Sequence, residues 1–317
     1  MKKLLLAFCA AAALAACNRS PEFYFRRAGS LLAAGKETAA LENYNKAILI
    51  RKAFPEALTA RGLLYERLGD RQKAGLDYRK ALEFDAAYLP AYNNLAAMLM
   101  DGGNYSEAVR LLDSALEARP DYPYARLNRG LSYYKLGDCA AATQDLSAAL
   151  AANPRFELAY YHRALCAVKA RNLTAALADL DALLAVNPAA ALAWFERGKV
   201  LYSMSDYDGA AAEFEKAARL NPADATFFFW LAQALHRAGR QEAALPAAVS
   251  AAGLRPDSHQ AQGLLGDIYA AGGDRAKAAE SYARAAELAP QYAASYRSRL
   301  AAKRPSQKQP ARRAKRN

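Results

Sequence analysis

Three histidines in 317 residues leave little from which to build a metal centre or an acid–base pair. His162, His236 and His259 stand far apart along the chain. The G-x-x-x-x-G-K-[ST] loop, the G-x-S-x-G elbow and the H-E-x-x-H pair are all absent. That removes the motifs for phosphate cradling, acyl transfer and zinc-dependent hydrolysis. Acidic residues are scattered, with no isolated pair placed for general acid–base work. No cofactor, no metal and no enzymatic activity are therefore expected. Long apolar runs are missing as well: residues 4–14 are apolar but too few to span a bilayer as a permanent helix. Basic charge is concentrated at the ends. Of the net +12, Lys2 and Lys3 carry two charges and residues 303–317 carry seven, with no acid among them. The +3 left over is not the charge of a nucleic-acid-binding body.

What the chain does have is a period. The stretch 191–224 carries Trp194, Gly198, Leu201, Tyr207, Ala210, Phe214, Ala217 and Pro222, and a step of 34 residues either way meets the pattern again. Eight units follow without insertion: 21–54, 55–88, 89–122, 123–156, 157–190, 191–224, 225–258 and 259–292. The eighth position is always small: Ala28, Gly62, Ala96, Gly130, Ala164, Gly198, Ala232 and Gly266. The twentieth is always alanine, from Ala40 to Ala278, while position 24 is large except at Ala248. Two helices in close approach need this distribution of volume. Pro120, Pro154, Pro188, Pro222, Pro256 and Pro290 end the second helix of their units. Pairs such as Gly69-Asp70 and Gly137-Asp138 suit a helix end followed by the cap of the next helix. Arg171 and Ser205 break the glycine rule, and their turns are expected to be strained or differently shaped.

The spacing W-x3-G, then A-x3-F, then proline resembles the tetratricopeptide repeat family over 272 of the 317 residues. Arg197 stands where the family has leucine. The resemblance implies an all-α fold, a right-handed α-solenoid of eight tandem helical hairpins. The first repeat matches least, with Lys52 in place of proline and Glu37 at a usually aromatic site. Residues 293–302, with Tyr296 and Leu300 at helical spacing, read as a capping helix, and 303–317 as a disordered basic tail.

Residues 1–16 read as an export signal, with a charged start and a short apolar stretch. Leu14-Ala15-Ala16-Cys17 resembles the bacterial lipobox. That resemblance implies a mature chain beginning at Cys17, held by diacylglycerol and an amide-linked acyl chain such as palmitate, a firmer anchor than a single chain. Asn18, in place of the aspartate that retains lipoproteins at the inner membrane, favours the periplasmic side of the outer membrane. Residues 17–20 leave a tether of about 10 Å, so the array should sit close to the lipid. Cys9 leaves with the signal. Cys139 and Cys166 fall near the same turn end of adjacent units, where a disulfide and two buried thiols are both open readings.

Position seven, usually leucine in the family, is arginine in five units: Arg27, Arg61, Arg129, Arg163 and Arg197. Position 23 of those units is Asn43, Asp77, Asp145, Asp179 and Glu213. Where position seven is Leu95, Leu231 or Leu265, position 23 is Leu111, Ala247 or Ser281. A structural ion pair across the hairpin is expected in the four arginine–carboxylate units.

The resemblance places partner contacts on the first helix of each unit, along the inner curve of the superhelix. The candidates for a peptide groove are Asn93, Asn94, Asn128, Tyr134, Tyr161, Phe195, Lys199, Tyr202, Phe229 and Gln233. Amides can pair with a peptide backbone and aromatics supply rigid contact area. At positions 5 and 12 the other reading is packing against the neighbouring helix. Only Lys199 approaches the carboxylate clamp of chaperone-type arrays, so capture of an acidic C-terminus is not expected. The favoured reading is a lipid-anchored scaffold that binds a peptide or helix of a protein partner, as an adaptor or assembly factor for envelope machinery. The alternative gives the work to the tail, whose Lys303, Arg304, Lys308, Arg312, Arg313, Lys315 and Arg316 would hold anionic lipid, lipopolysaccharide or peptidoglycan.

Overall fold

The computed structural model describes residues 19–301. The export signal, Cys17 and the basic tail lie outside them. Every regular element among the described residues is helical, and the chain divides at Cys166/Ala167 into two compact units. The first holds four hairpins: α1 (Pro21–Ala33) with α2 (Glu37–Ile50), α3 (Pro55–Arg67) with α4 (Arg71–Phe84), α5 (Leu89–Asp101) with α6 (Tyr105–Ala118), and α7 (Pro123–Leu136) with α8 (Cys139–Ala152). The division falls inside α9 (Glu157–Lys169). The second unit holds α10 (Leu173–Val186), then α11 (Ala191–Ser203) with α12 (Tyr207–Leu220), α13 (Ala225–Arg237) with α14 (Gln241–Leu254), and α15 (His259–Gly272) with α16 (Arg275–Leu288). A 3-10 turn at Pro290–Tyr292 leads into α17 (Ala293–Ala301).

Local chemistry sets these boundaries. Pro55 and Pro123 open α3 and α7, where the missing N–H has no partner to lose. Asp70, Asp138, Asn172, Asp206 and Asp274 each accept the N–H three residues on, at 2.9–3.2 Å. Asn104 makes no such side-chain bond. The turn glycines Gly69 and Gly137 have φ of 82° and 89°. Arg171 and Ser205 take the same left-handed backbone, with φ of 58° and 65°. Their turns are therefore strained but not differently shaped, because the hairpin geometry dictates that conformation. The steric cost is about 1 kcal/mol each.

Packing follows the volume pattern. The alanines at positions 8 and 20 are fully buried in both units, and position 24 is buried beside them. A methyl group on Gly62 would lie 2.5 Å from the Tyr78 ring, and one on Gly198 would lie 2.6 Å from Phe214. Among the described residues neither unit has a single central core. The first is a series of small clusters, such as Ala28, Ala40, Tyr44 and Leu64, then Ala74, Tyr78, Leu95 and Leu99. The second has a larger one around Phe195, Phe214, Phe227, Leu235 and Ile268. Its end is closed by α17, where Tyr296 packs over Gly263 and donates its hydroxyl to the His259 carbonyl at 3.2 Å. Arg299 pairs with Asp267 at 2.8 Å. The side chain of Leu300 and residue 302 lie outside the described residues.

Gly198→Ala should lower stability by about 1–3 kcal/mol, because overpacking against Phe214 outweighs the gain in helix propensity. Gly29→Ala on α1, where an added carbon meets nothing within 4 Å, should raise it by about 0.5–1 kcal/mol. Urea denaturation of both variants is the check, and two changes of the same sign would contradict the packing argument.

Candidate functional site

The arginines at position seven come first, because they fix the helices that carry the rest. Arg61 donates to both carboxylate oxygens of Asp77, at 2.8 and 2.7 Å, and its remaining nitrogen donates to Asn45 at 2.8 Å. Arg129 donates to Asp145 at 2.6 and 2.8 Å and to Asp113 at 2.6 Å. Arg197 lies 2.7 Å from Glu213 and donates to Asp181 at 2.7 Å. Arg163 donates to Ser147 at 2.9 Å, and Asp179 belongs to the other unit. Asn43 spends its amide on the Ala39 carbonyl at 2.7 Å. Each of these four arginines thus reaches back to position 25 of the preceding repeat, and Arg61, Arg129 and Arg197 also pair within their own hairpins. That second contact escapes a comparison limited to positions 7 and 23. Its signal was available in the polar Asn45, Asp113, Ser147 and Asp181. Hydrogen bonding to Asp145 raises the pKa of Arg129, against the opposing effect of burial.

In the first unit the first-helix face runs through α5, α7 and the start of α9. Asn128 donates from Nδ2 to Asn93 Oδ1 at 2.8 Å, joining neighbouring repeats, and Asn94 beside them is half-buried. Tyr134 and Tyr161 flank His162, with ring centroids 4.7 and 5.3 Å away. The Nδ1 of His162 is buried with no hydrogen-bond partner. Burial lowers the pKa of this imidazole to about 4, with repulsion from Lys135 adding to it. The ring is therefore neutral at physiological pH.

In the second unit α11 and α13 present an aromatic group. Tyr202 stands edge-on to Trp230 at 5.4 Å and to Tyr207 at 5.1 Å, and Phe229 stands edge-on to Trp230 at 6.4 Å. Lys199 pairs with Glu196 at 2.9 Å, and Gln233 is half-buried. Phe195 does not belong to this face. It is only 8% exposed and packs against Phe214 and Phe227, 5.6 and 5.0 Å away. At position 5 its ring fills the space between its own hairpin and the next, so it is core. A pocket of about 240 Å³ lies beside Phe229 and Trp230, lined also by Thr226, Arg255, Ser258 and Gln260. Arg255 and Ser258 come from the loop between α14 and α15, which a rule restricted to first helices does not reach.

The other histidines are engaged: His236 Nδ1 lies 2.6 Å from Gln241 Oε1, and His259 Nδ1 lies 2.8 Å from the Tyr296 hydroxyl. Among the described residues no three His, Cys, Asp or Glu side chains gather as a metal site, and no helix is long and apolar enough to cross a membrane.

This geometry agrees with comparison to known proteins. Tetratricopeptide repeat models match residues 127–182, 161–212 and 195–258, as well as 55–88 and 259–292, and a TPR repeat model matches 97–137. The chain belongs to the tetratricopeptide repeat family, an architecture of protein–protein interaction scaffolds. Among solved structures it is similar to PilF of Pseudomonas aeruginosa, with 21% identity and a TM-score of 0.59 over 67% of this chain and 97% of that one. A tetratricopeptide repeat protein from Parabacteroides merdae gives 21% and 0.54, over 78% and 99% of the two chains. YrrB, a TPR protein with an unusual peptide-binding site, gives 23% and 0.52, over 58% and 95%. These likenesses are of fold.

Asp145, whose side chain is 3% exposed, accepts from both Arg126 and Arg129. Asp145→Ala should cost about 3–5 kcal/mol by leaving charge uncompensated. Arg129→Leu with Asp145→Leu, which copies Leu95 and Leu111, should fall within about 1 kcal/mol of wild type. A double variant as damaged as the single one in urea would show that the ion pair has no apolar substitute.

His162 supplies a pH test. Its folded pKa lies below the ordinary 6.5, so the unfolded chain takes the proton first. Stability is complete above the unfolded value and is lost as pH falls toward about 4. The loss should total about 2 kcal/mol after allowance for partial exposure. His162→Phe should remove that part of the slope. An identical pH dependence in the two proteins would rule the assignment out.

Proposed function

We propose that this protein is a scaffold of the bacterial envelope, held to lipid through Cys17, which grips a peptide segment or helix of a protein partner on its first-helix faces. The observation that carries the reading is the row of half-buried amides and aromatics on those faces: Asn93, Asn94, Asn128, Tyr134 and Tyr161 in one unit, Tyr202, Phe229 and Gln233 in the other. The Nδ2 of Asn93 and the Oδ1 of Asn128, not engaged by the bond between them, can pair with a backbone carbonyl and N–H. The rings supply contact area at low entropic cost. YrrB, a similar fold with a peptide-binding site, supports the same use.

Two features support the lipid end of the reading. The lipobox cysteine stands four residues before α1. At the same end of the first hairpin, where Arg51 pairs with Glu22 at 2.9 Å, Leu49 and Ile50 are 76% and 53% exposed. With the exposed Arg19 and Lys52 they put apolar and basic side chains at the end of the first hairpin where α1 begins, a combination that suits an anionic bilayer. An outer-membrane location, periplasmic side, is the corresponding assignment.

The experiment is capture of a partner from envelope extract by three proteins: wild type, Tyr134→Ala with Tyr161→Ala, and a chain lacking residues 303–317. The tail-deleted chain should retain the partner and the tyrosine variant should lose at least about 90% of it, since two anchor residues at about 1 kcal/mol or more each exceed tenfold. The opposite pattern would assign binding to the basic tail. Labelled palmitate should enter the wild-type protein but not Cys17→Ala.

A further inference from the structure

Cys139 and Cys166 are the cysteines among the described residues. Cys139 is the first residue of α8 and half-exposed; Cys166 is buried on α9 in the next repeat. Their sulfurs stand 2.6 Å apart. An S–S bond is about 2.05 Å, so an adjustment of about half an ångström closes the gap. Leu131, Leu146, Tyr133 and Tyr134 pack in the same cluster, which holds both sulfurs in place. Two reduced thiols elsewhere in a core would serve as apolar filler; a pair aimed at each other across a repeat boundary has a further chemistry open to it.

We propose that this pair is a redox modification site, closing to a disulfide that staples the fourth repeat to the fifth. The oxidant is a small-molecule or protein disulfide, RSSR. The more accessible Cys139 attacks one of its sulfurs as the thiolate, forming a mixed disulfide and releasing RS⁻. The Cys166 thiolate then displaces the second RS⁻ and forms the Sγ–Sγ bond. Two electrons pass to the oxidant, and the two cysteine protons end on two RSH. Formation in the cell rests on the export reading above, since an exported chain meets an oxidising compartment. The bond joins α8 to α9: Tyr161 and His162 lie on α9, and Tyr134 lies on α7, which runs through the Gly137-Asp138 turn directly into Cys139. Closing it fixes the spacing of that part of the binding face before a partner arrives.

The full chain is incubated with oxidised glutathione or with dithiothreitol, then denatured, alkylated and mapped by peptide mass spectrometry. The oxidised sample should contain one peptide pair joined through Cys139 and Cys166, absent after reduction and absent from Cys139→Ser. Reduction should lower the Tm by about 5 °C, while the Tm of Cys139→Ser should not respond to dithiothreitol. Quantitative alkylation of both cysteines after glutathione treatment of the folded protein would overturn the site. Protein taken from the envelope and alkylated at once should carry the same cross-link. A cross-link that forms only with added glutathione supports the site and counts against the exported location.

Discussion

A gap between two helices that only a hydrogen or a methyl can fill determines most of this structure. Position 8 of the first helix faces position 24 of the second in each complete hairpin. Where the facing side chain is Tyr78, Phe214 or Tyr282, position 8 is Gly62, Gly198 or Gly266, and an added carbon would meet the ring at about 2.5–2.6 Å. Leu112 and Ala248 face alanine instead. Ala28 opposite Tyr44 and Gly130 opposite Leu146 show that the match is one of local volume and not a fixed code. Alanine at position 20 keeps the axes close and preserves helix propensity. Since this gap recurs every 34 residues, positions 5, 6, 9 and 12 return to one side of the hairpins within each unit. The proposed binding face is thus a consequence of the packing.

The arginine contacts work between repeats as well as within them. A guanidinium offers five donors in a planar fork, and here the fork spans two hairpins, with the stem laid along apolar surface. Arg129 engages all three of its nitrogens, two on Asp145 of its own hairpin and one on Asp113 of the preceding one. In an array whose members touch only their neighbours, such a bond contributes directly to the coupling that makes the repeats fold together. The seventh repeat shows the alternative. Leu231 and Ala247 replace the arginine and its acid, and a hollow of about 550 Å³ opens there, lined by Phe228, Leu235 and Pro246 among others. Coupling there combines apolar contact with bonds at the turn end of the hairpin, Arg240 to Asp208 at 3.2 Å and Arg237 to Tyr207 at 3.3 Å.

The period, the hairpin boundaries and the small positions were legible in the sequence because each follows from a local requirement on one residue type. Proline starts or stops a helix, aspartate caps it, and alanine lets two axes approach. Less legible was anything that depends on a neighbouring repeat. Phe195 and Tyr202 are both aromatic residues at first-helix positions that can face outward, yet one is core and the other half-exposed, because only the first meets both Phe214 and Phe227. The reach of the arginines to position 25 was hidden for the same reason. Arg171 and Ser205 show the reverse case. Their residue types argue against a left-handed turn, and the hairpin imposes it anyway.

A face of this kind constrains what the molecule can do. Its amides and tyrosines sit half-buried on helix surfaces, beside the buried Nδ1 of His162. Each contact is worth little alone. Asn93 and Asn128 are bonded to each other, Lys199 to Glu196, and Tyr202 leans on Trp230, so their side chains are partly ordered before a ligand arrives. Ordering of that kind lowers the entropic cost of association without adding a contact. Affinity in such a system comes from many modest interactions held in register by a rigid support, and the support here is the helix gap that glycine and alanine keep narrow.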